Sequence, residues 1–126
     1  MKNSIFFLLA LLLLSACNKT LIKYNPDFEG TWFSDEKYNS VSSKFVRNEL
    51  VFSGQNGSFQ VDCIDTCETT LCQCAEKLTG RAEINAQRTI IRLVSNFNRT
   101  FQIDAEPYQV GEQWLMKIDG RVYYKQ

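Results

Sequence analysis

The chain has 126 residues, 44% of them hydrophobic and 13% aromatic, with 14 basic against 14 acidic side chains and no histidine. This length supports one domain with a real core, and an even charge balance without a basic block excludes a nucleic-acid partner. The absence of histidine excludes Ser-His and Cys-His hydrolases in their usual forms, and neither a phosphate-cradling glycine loop nor a cofactor motif occurs, so no enzyme is expected.

Met1 and Lys2 precede an apolar run of about ten residues starting at Ile5. At about 1.5 Å per residue a helix of this length covers roughly 15 Å, half of a hydrocarbon core of about 30 Å, so the run reads as a secretory signal rather than a span. Leu14, Ser15, Ala16 and Cys17 close it. This junction resembles the lipobox of bacterial lipoproteins. The resemblance implies a signal peptide over residues 1–16, cleavage before Cys17, acylation of its thiol and usually of its new amino group, and a membrane partner reached through acyl chains. Two or three chains hold durably where one binds only marginally. The residue after Cys17 is Asn18 and not Asp, which the same resemblance reads as outer-membrane localisation; without an acidic run after Cys17, the periplasmic face is expected.

Residues 17–28 then read as the acylated cysteine and a tether, polar, mixed in charge and carrying Pro26, which disfavours helix at Asn25. Ten extended residues reach about 33 Å. From there to residue 126 the periodicity is two. Val46, Leu50 and Phe52 share a face; Ser53 to Gly57, with Asn56-Gly57 inside it, predicts a turn; Phe59, Val61 and Cys63 alternate again. Leu78, Gly80, Ala82 and Ile84 share the next face, Asn85 to Gln87 turns into Thr89–Val94, and Asn96 to Asn98 breaks the run before Thr100–Asp104. Trp114, Met116 and Ile118 lead to Asp119-Gly120, a strong hairpin signal, and to Val122–Lys125. Ser34 to Lys44 is a weak helix candidate without an apolar stripe. About eight short strands with little room for helix predict an all-β fold, an antiparallel up-and-down meander that removes its edges by closing into a barrel. Such an interior holds packed side chains or one small ligand.

Asp27, Phe28, Glu29, Gly30, Thr31 and Trp32 open this region. The segment resembles the Gly-x-Trp opening of the lipocalin family, and the order of lipobox, tether, motif and short strands is similar to small lipocalin-like lipoproteins of Bacteroidota. The resemblance implies that Gly30 lets the chain enter the first barrel strand and that Trp32 plugs the closed end under a basic side chain from the last strand, for which Arg121 is the candidate. A Thr-Asp-Tyr triplet, the second signature of the family, is absent.

Cys63, Cys67, Cys72 and Cys74 lie close together, spaced C-x3-C-x4-C-x-C. With Cys17 assigned to lipid, an even set remains in an exported chain, which favours two disulfides. A Cys72–Cys74 bridge would close a strained ring; the nested pairing (Cys63 with Cys74, Cys67 with Cys72) and the interleaved one both stay open. A thiolate site for zinc or copper(I) is the sharper alternative, disfavoured by the spacing and by the lack of histidine, so no metal is expected. Asp62, Asp65 and Glu68 lack the pattern of a calcium loop. The function expected is therefore binding, of a small apolar ligand in the barrel mouth or of an envelope component; the alternative is an interaction or inhibitor module, similar to small barrel lipoproteins that inhibit lysozyme, using the cysteine loop.

Overall fold

The computed structural model describes residues 19–41, 43–63 and 76–126. Its strands are β1 (Lys19–Thr20), β2 (Gly30–Ser34), β3 (Lys37–Asn39), β4 (Lys44–Ser53), β5 (Asn56–Cys63), β6 (Glu76–Ile84), β7 (Ile90–Val94), β8 (Arg99–Val110), β9 (Gln113–Ile118) and β10 (Arg121–Lys125). One helical turn, α1 (Leu21–Tyr24), and a 3-10 turn (Pro26–Phe28) precede β2. The fold is all-β, and β2 and β4 to β10 make a closed antiparallel barrel of eight strands. Each barrel strand pairs with its neighbours in sequence, and the ring shuts where β10 meets β2 through Tyr123↔Ser34, Tyr124↔Phe33 and Lys125↔Trp32. Closure satisfies the backbone donors and acceptors that an open meander would leave along two edges.

The alternation read from the sequence is the inside–outside pattern of this barrel. Trp32, Leu50, Phe52, Phe59, Ala82, Ile84, Ile91, Leu93, Phe101, Met116, Ile118 and Tyr123 are buried in one core cluster. These side chains fill the barrel below one end, and Phe59 and Phe101 meet with ring centroids 5.2 Å apart. β8 is the longest strand, and register irregularities between Ile103 and Ala105 and between Ala105 and Tyr108 bend it around the wall.

Two expectations are corrected and a third is refined. Residues 19–28 are not a free tether: β1 pairs with β6 through Lys19↔Ile84 and Thr20↔Glu83, and Leu21 and Phe28 are fully buried. Ile22 and Tyr24 pack beside them against the core, and Pro26 starts a 3-10 turn, with the Asn25 side chain accepting the Asp27 N–H at 3.0 Å. The folded unit thus reaches back at least to Lys19, well before the motif at Gly30. Ser34 to Lys44 is no helix, since β3 folds back on β4 through Tyr38↔Phe45 and Lys37↔Val46. Within the expected Ser53–Gly57 turn the chain reverses at Gly54 (φ 60°) and Gln55, two residues before Asn56-Gly57, and Gly57 is an inward strand position where an added Cβ would lie 2.7 Å from Leu93 Cδ2. Asp119 (φ 50°) and Gly120 (φ 72°) do form the last hairpin turn.

Candidate functional site: the open mouth of the barrel

The two ends of the barrel differ in chemistry. At the closed end the segment from Leu21 to Phe28 covers the core. Phe28 packs edge-to-face on Phe52 with centroids 6.0 Å apart, and the Trp32 indole N–H donates to the Phe28 carbonyl at 2.8 Å. Tyr24 donates to Glu106 at 2.9 Å, which holds α1 against β8 and keeps the Tyr24 hydroxyl protonated to higher pH than usual.

Lys125, not Arg121, is the basic side chain over Trp32. Its Nζ lies 5.3 Å from the Trp32 ring centroid and 5.7 Å from that of Trp114, and it donates to the Asp27 carbonyl at 3.0 Å. β10 runs from one end of the barrel to the other, so the four-residue step from Arg121 to Lys125, at about 3.3 Å per residue, separates them by roughly 13 Å. Gly30 sits beneath this lysine: its φ is +126°, and an added Cβ would lie 2.8 Å from Lys125 Cε. A side chain at Gly30 would therefore meet both a backbone conformation it avoids and the lysine stem.

Arg121 instead lines the opposite end, a cavity of about 300 Å3 open to solvent. Its floor is Phe59 and Phe101, its apolar wall Val46 and Val61, and its polar wall Asn48, Arg99, Asp119, Arg121 and Tyr123. Arg99 lies flat over the floor, its guanidinium carbon 4.1 Å from the Phe59 centroid and 5.3 Å from that of Phe101, and its Nη1 reaches Glu76 at 2.7 Å. The guanidinium face shields two buried rings from water while its edge remains hydrated. Asn48 donates from Nδ2 to the Tyr123 hydroxyl oxygen at 3.2 Å, and its own N–H is received by Ser34 Oγ at 2.9 Å. Burial pushes the Tyr123 hydroxyl pKa up; the Asn48 hydrogen bond, Arg121 and Arg99 oppose that shift, and Asp119 adds to it.

Period two places Arg121, Tyr123 and Lys125 on the same inward face of β10, one cation at each end and a tyrosine between them. That signal was available in the sequence. Asn48 and Arg99 were missed, because polar side chains at inward strand positions look like ordinary breaks in an apolar stripe.

Cys63 ends β5 at the open rim, where it is disulfide-bonded. Cys67, Cys72 and Cys74, like Cys17 and the segment before it, lie outside the described residues. Among the described residues no three His, Cys, Asp or Glu side chains converge as metal ligands, and no helix is long and apolar enough to cross a membrane. A smaller cavity of about 220 Å3 lies at the closed end between Lys19, Tyr24, Asn85 and Arg88.

The class defined by this geometry is a small up-and-down β-barrel with one plugged end, a filled core and one open, polar mouth. Comparisons with protein-family models, curated proteins and solved structures found no match for the chain.

Proposed function

We propose that the protein is a lipid-anchored, lipocalin-like binding protein of the bacterial cell envelope, which takes a small ligand in the open mouth of its barrel. The observation that carries this reading is the pairing of a plugged end with a mouth of about 300 Å3 whose floor is aromatic and whose wall is polar. The mouth is more polar than the usual small-molecule site, which favours a ligand with a polar head, and its volume is at the lower end of the range of about 300–1,000 Å3. Because the core below is filled by Leu50, Phe59, Phe101 and Met116, the ligand sits in the mouth and does not thread the barrel.

The lipobox resemblance of Leu14–Cys17 supports anchoring through acyl chains on Cys17, with the outer membrane and its periplasmic face as the site. The described chain starts at Lys19 on the closed end, so an anchor at Cys17 holds that end against the bilayer and turns the mouth away from it. Cys63, Cys67, Cys72 and Cys74 then act as two disulfides pinning the loop beside the mouth. Native mass spectrometry of the protein purified from envelopes tests the binding reading, because it reports bound ligand and disulfide mass together; a protein mass without any adduct, unchanged when envelope metabolites are added, refutes it. Intrinsic fluorescence is the poorer probe, since Trp32 and Trp114 both sit under Lys125 at the far end. For the anchor, Cys17→Ser should move the protein from the membrane to the soluble fraction.

The second reading, an interaction or inhibitor module, is favoured by one specific observation. Tyr38 (59% exposed), Val41 (96%), Phe45 (48%) and Phe97 (80%) all lie on connections or strand ends at the open rim. Such side chains present apolar surface to a protein partner.

A further inference from the structure

We propose that the ligand of the mouth is a small organic acid whose oxyanion, carboxylate or phosphate monoester, is seated on the Arg121 guanidinium while its apolar part lies against Val61 and the Arg99 guanidinium plane that covers Phe59 and Phe101; this rests on the binding reading above. Of the other charged groups lining the mouth, Arg99 has a carboxylate partner, while Asp119 keeps its charge and is held by the backbone of β8. Arg99 is paired with Glu76 at 2.7 Å, and Asp119 Oδ1 accepts the Gln102 N–H at 2.7 Å. Among the described residues no carboxylate meets Arg121, which is half-buried in the cavity wall, and its Nη1 is sealed from solvent without a hydrogen-bond partner.

A guanidinium left unpaired beside buried rings is costly, because the low dielectric strengthens every interaction it makes and penalises those it lacks. Tyr123 adds a second unspent donor. Its oxygen accepts from Asn48, while its own O–H has no acceptor among the described residues. Two donors of this kind beside Val61 and the flat face of Arg99 define an amphipathic ligand with an anionic head. The planar fork of arginine matches two oxygens of a carboxylate or phosphate. The size of the cavity limits the apolar part to a ring or a short chain.

The test uses the full chain in phosphatidylcholine nanodiscs, with benzoate, phenyl phosphate, benzyl alcohol and inorganic phosphate as probes, followed by calorimetry and by amide shifts of Phe101 and Tyr123. Benzoate or phenyl phosphate should bind about tenfold or more tightly than benzyl alcohol, the margin of a charge-assisted hydrogen bond. Arg121→Met should abolish that margin and leave benzyl alcohol binding unchanged. Because it removes an unpaired charge, Arg121→Met should also keep or raise the thermal midpoint, which a structural ion-pair role would not allow. Acid and alcohol binding equally, or a margin that survives Arg121→Met, overturns the anion seat and leaves the binding mouth standing. Inorganic phosphate binding as tightly as phenyl phosphate overturns the organic-acid assignment. No amide shift with any probe overturns the binding mouth together with the seat.

Discussion

At the scale of single residues, two cations on one strand do opposite work. Lys125 closes a stack of Trp32, Trp114 and the Asp27 carbonyl, so it stabilises the fold. Lys125→Met should cost about 1–2 kcal/mol in urea denaturation, from one partly desolvated cation–π contact and one charge-assisted hydrogen bond, whereas Arg121→Met should cost nothing measurable by the same assay. Tyr123 gives a pH signature. Its folded pKa is raised above the ordinary 10.0 by burial, so its contribution to stability is complete below pH 10 and is lost as pH rises through the folded value. The thermal midpoint should therefore fall above about pH 10, and Tyr123→Phe should make that fall shallower.

At the scale of elements, the segment before the barrel is the least expected part. It has a single helical turn and a 3-10 turn, too short to be stable alone. It is held by what it buries: Leu21 and Phe28 in the core, Trp32 donating to its last carbonyl, and Tyr24 bonded to Glu106 on β8. Phe28→Ala should cost about 3–5 kcal/mol, the range for deleting a fully buried aromatic, and should raise hydrogen exchange at Leu21–Phe28 before the strands. If exchange rose equally everywhere, the segment would be part of the barrel's cooperative unit and not a separable plug. The strands themselves were legible, because a half-buried strand must alternate. Leu78, Gly80, Ala82 and Ile84, and Trp114, Met116 and Ile118, lie on the faces the pattern assigned. The exact place of the reversal within Ser53–Gly57 was not legible, because a glycine that makes room for a neighbour across the barrel has the same appearance in sequence as one that turns the chain.

At the scale of the molecule, closure joins the first barrel strand to the last. Contacts so far apart in sequence are formed late, after most loop-closure entropy has been spent. Folding should be slow for the size, in the millisecond-to-second range by stopped-flow. Removing residues 121–126 should abolish near-ultraviolet circular dichroism altogether, since it exposes two strand edges and one wall of the core together.

Composition, alternation and turn chemistry by themselves determined an all-β chain of about eight antiparallel strands, because each of these signals is local and repeats every two residues. The resemblance to the Gly-x-Trp opening marked Gly30 and Trp32, and the structure gives both a place at the plugged end. Which cation meets Trp32, which end is plugged, and which donors stand unpaired in the mouth were decided only by the tertiary structure. Arg121 and Lys125 share one strand and one face, and nothing local distinguishes them; the barrel does so by bringing Asp27 and Trp114 to one end of β10 and Asn48, Arg99 and Asp119 to the other.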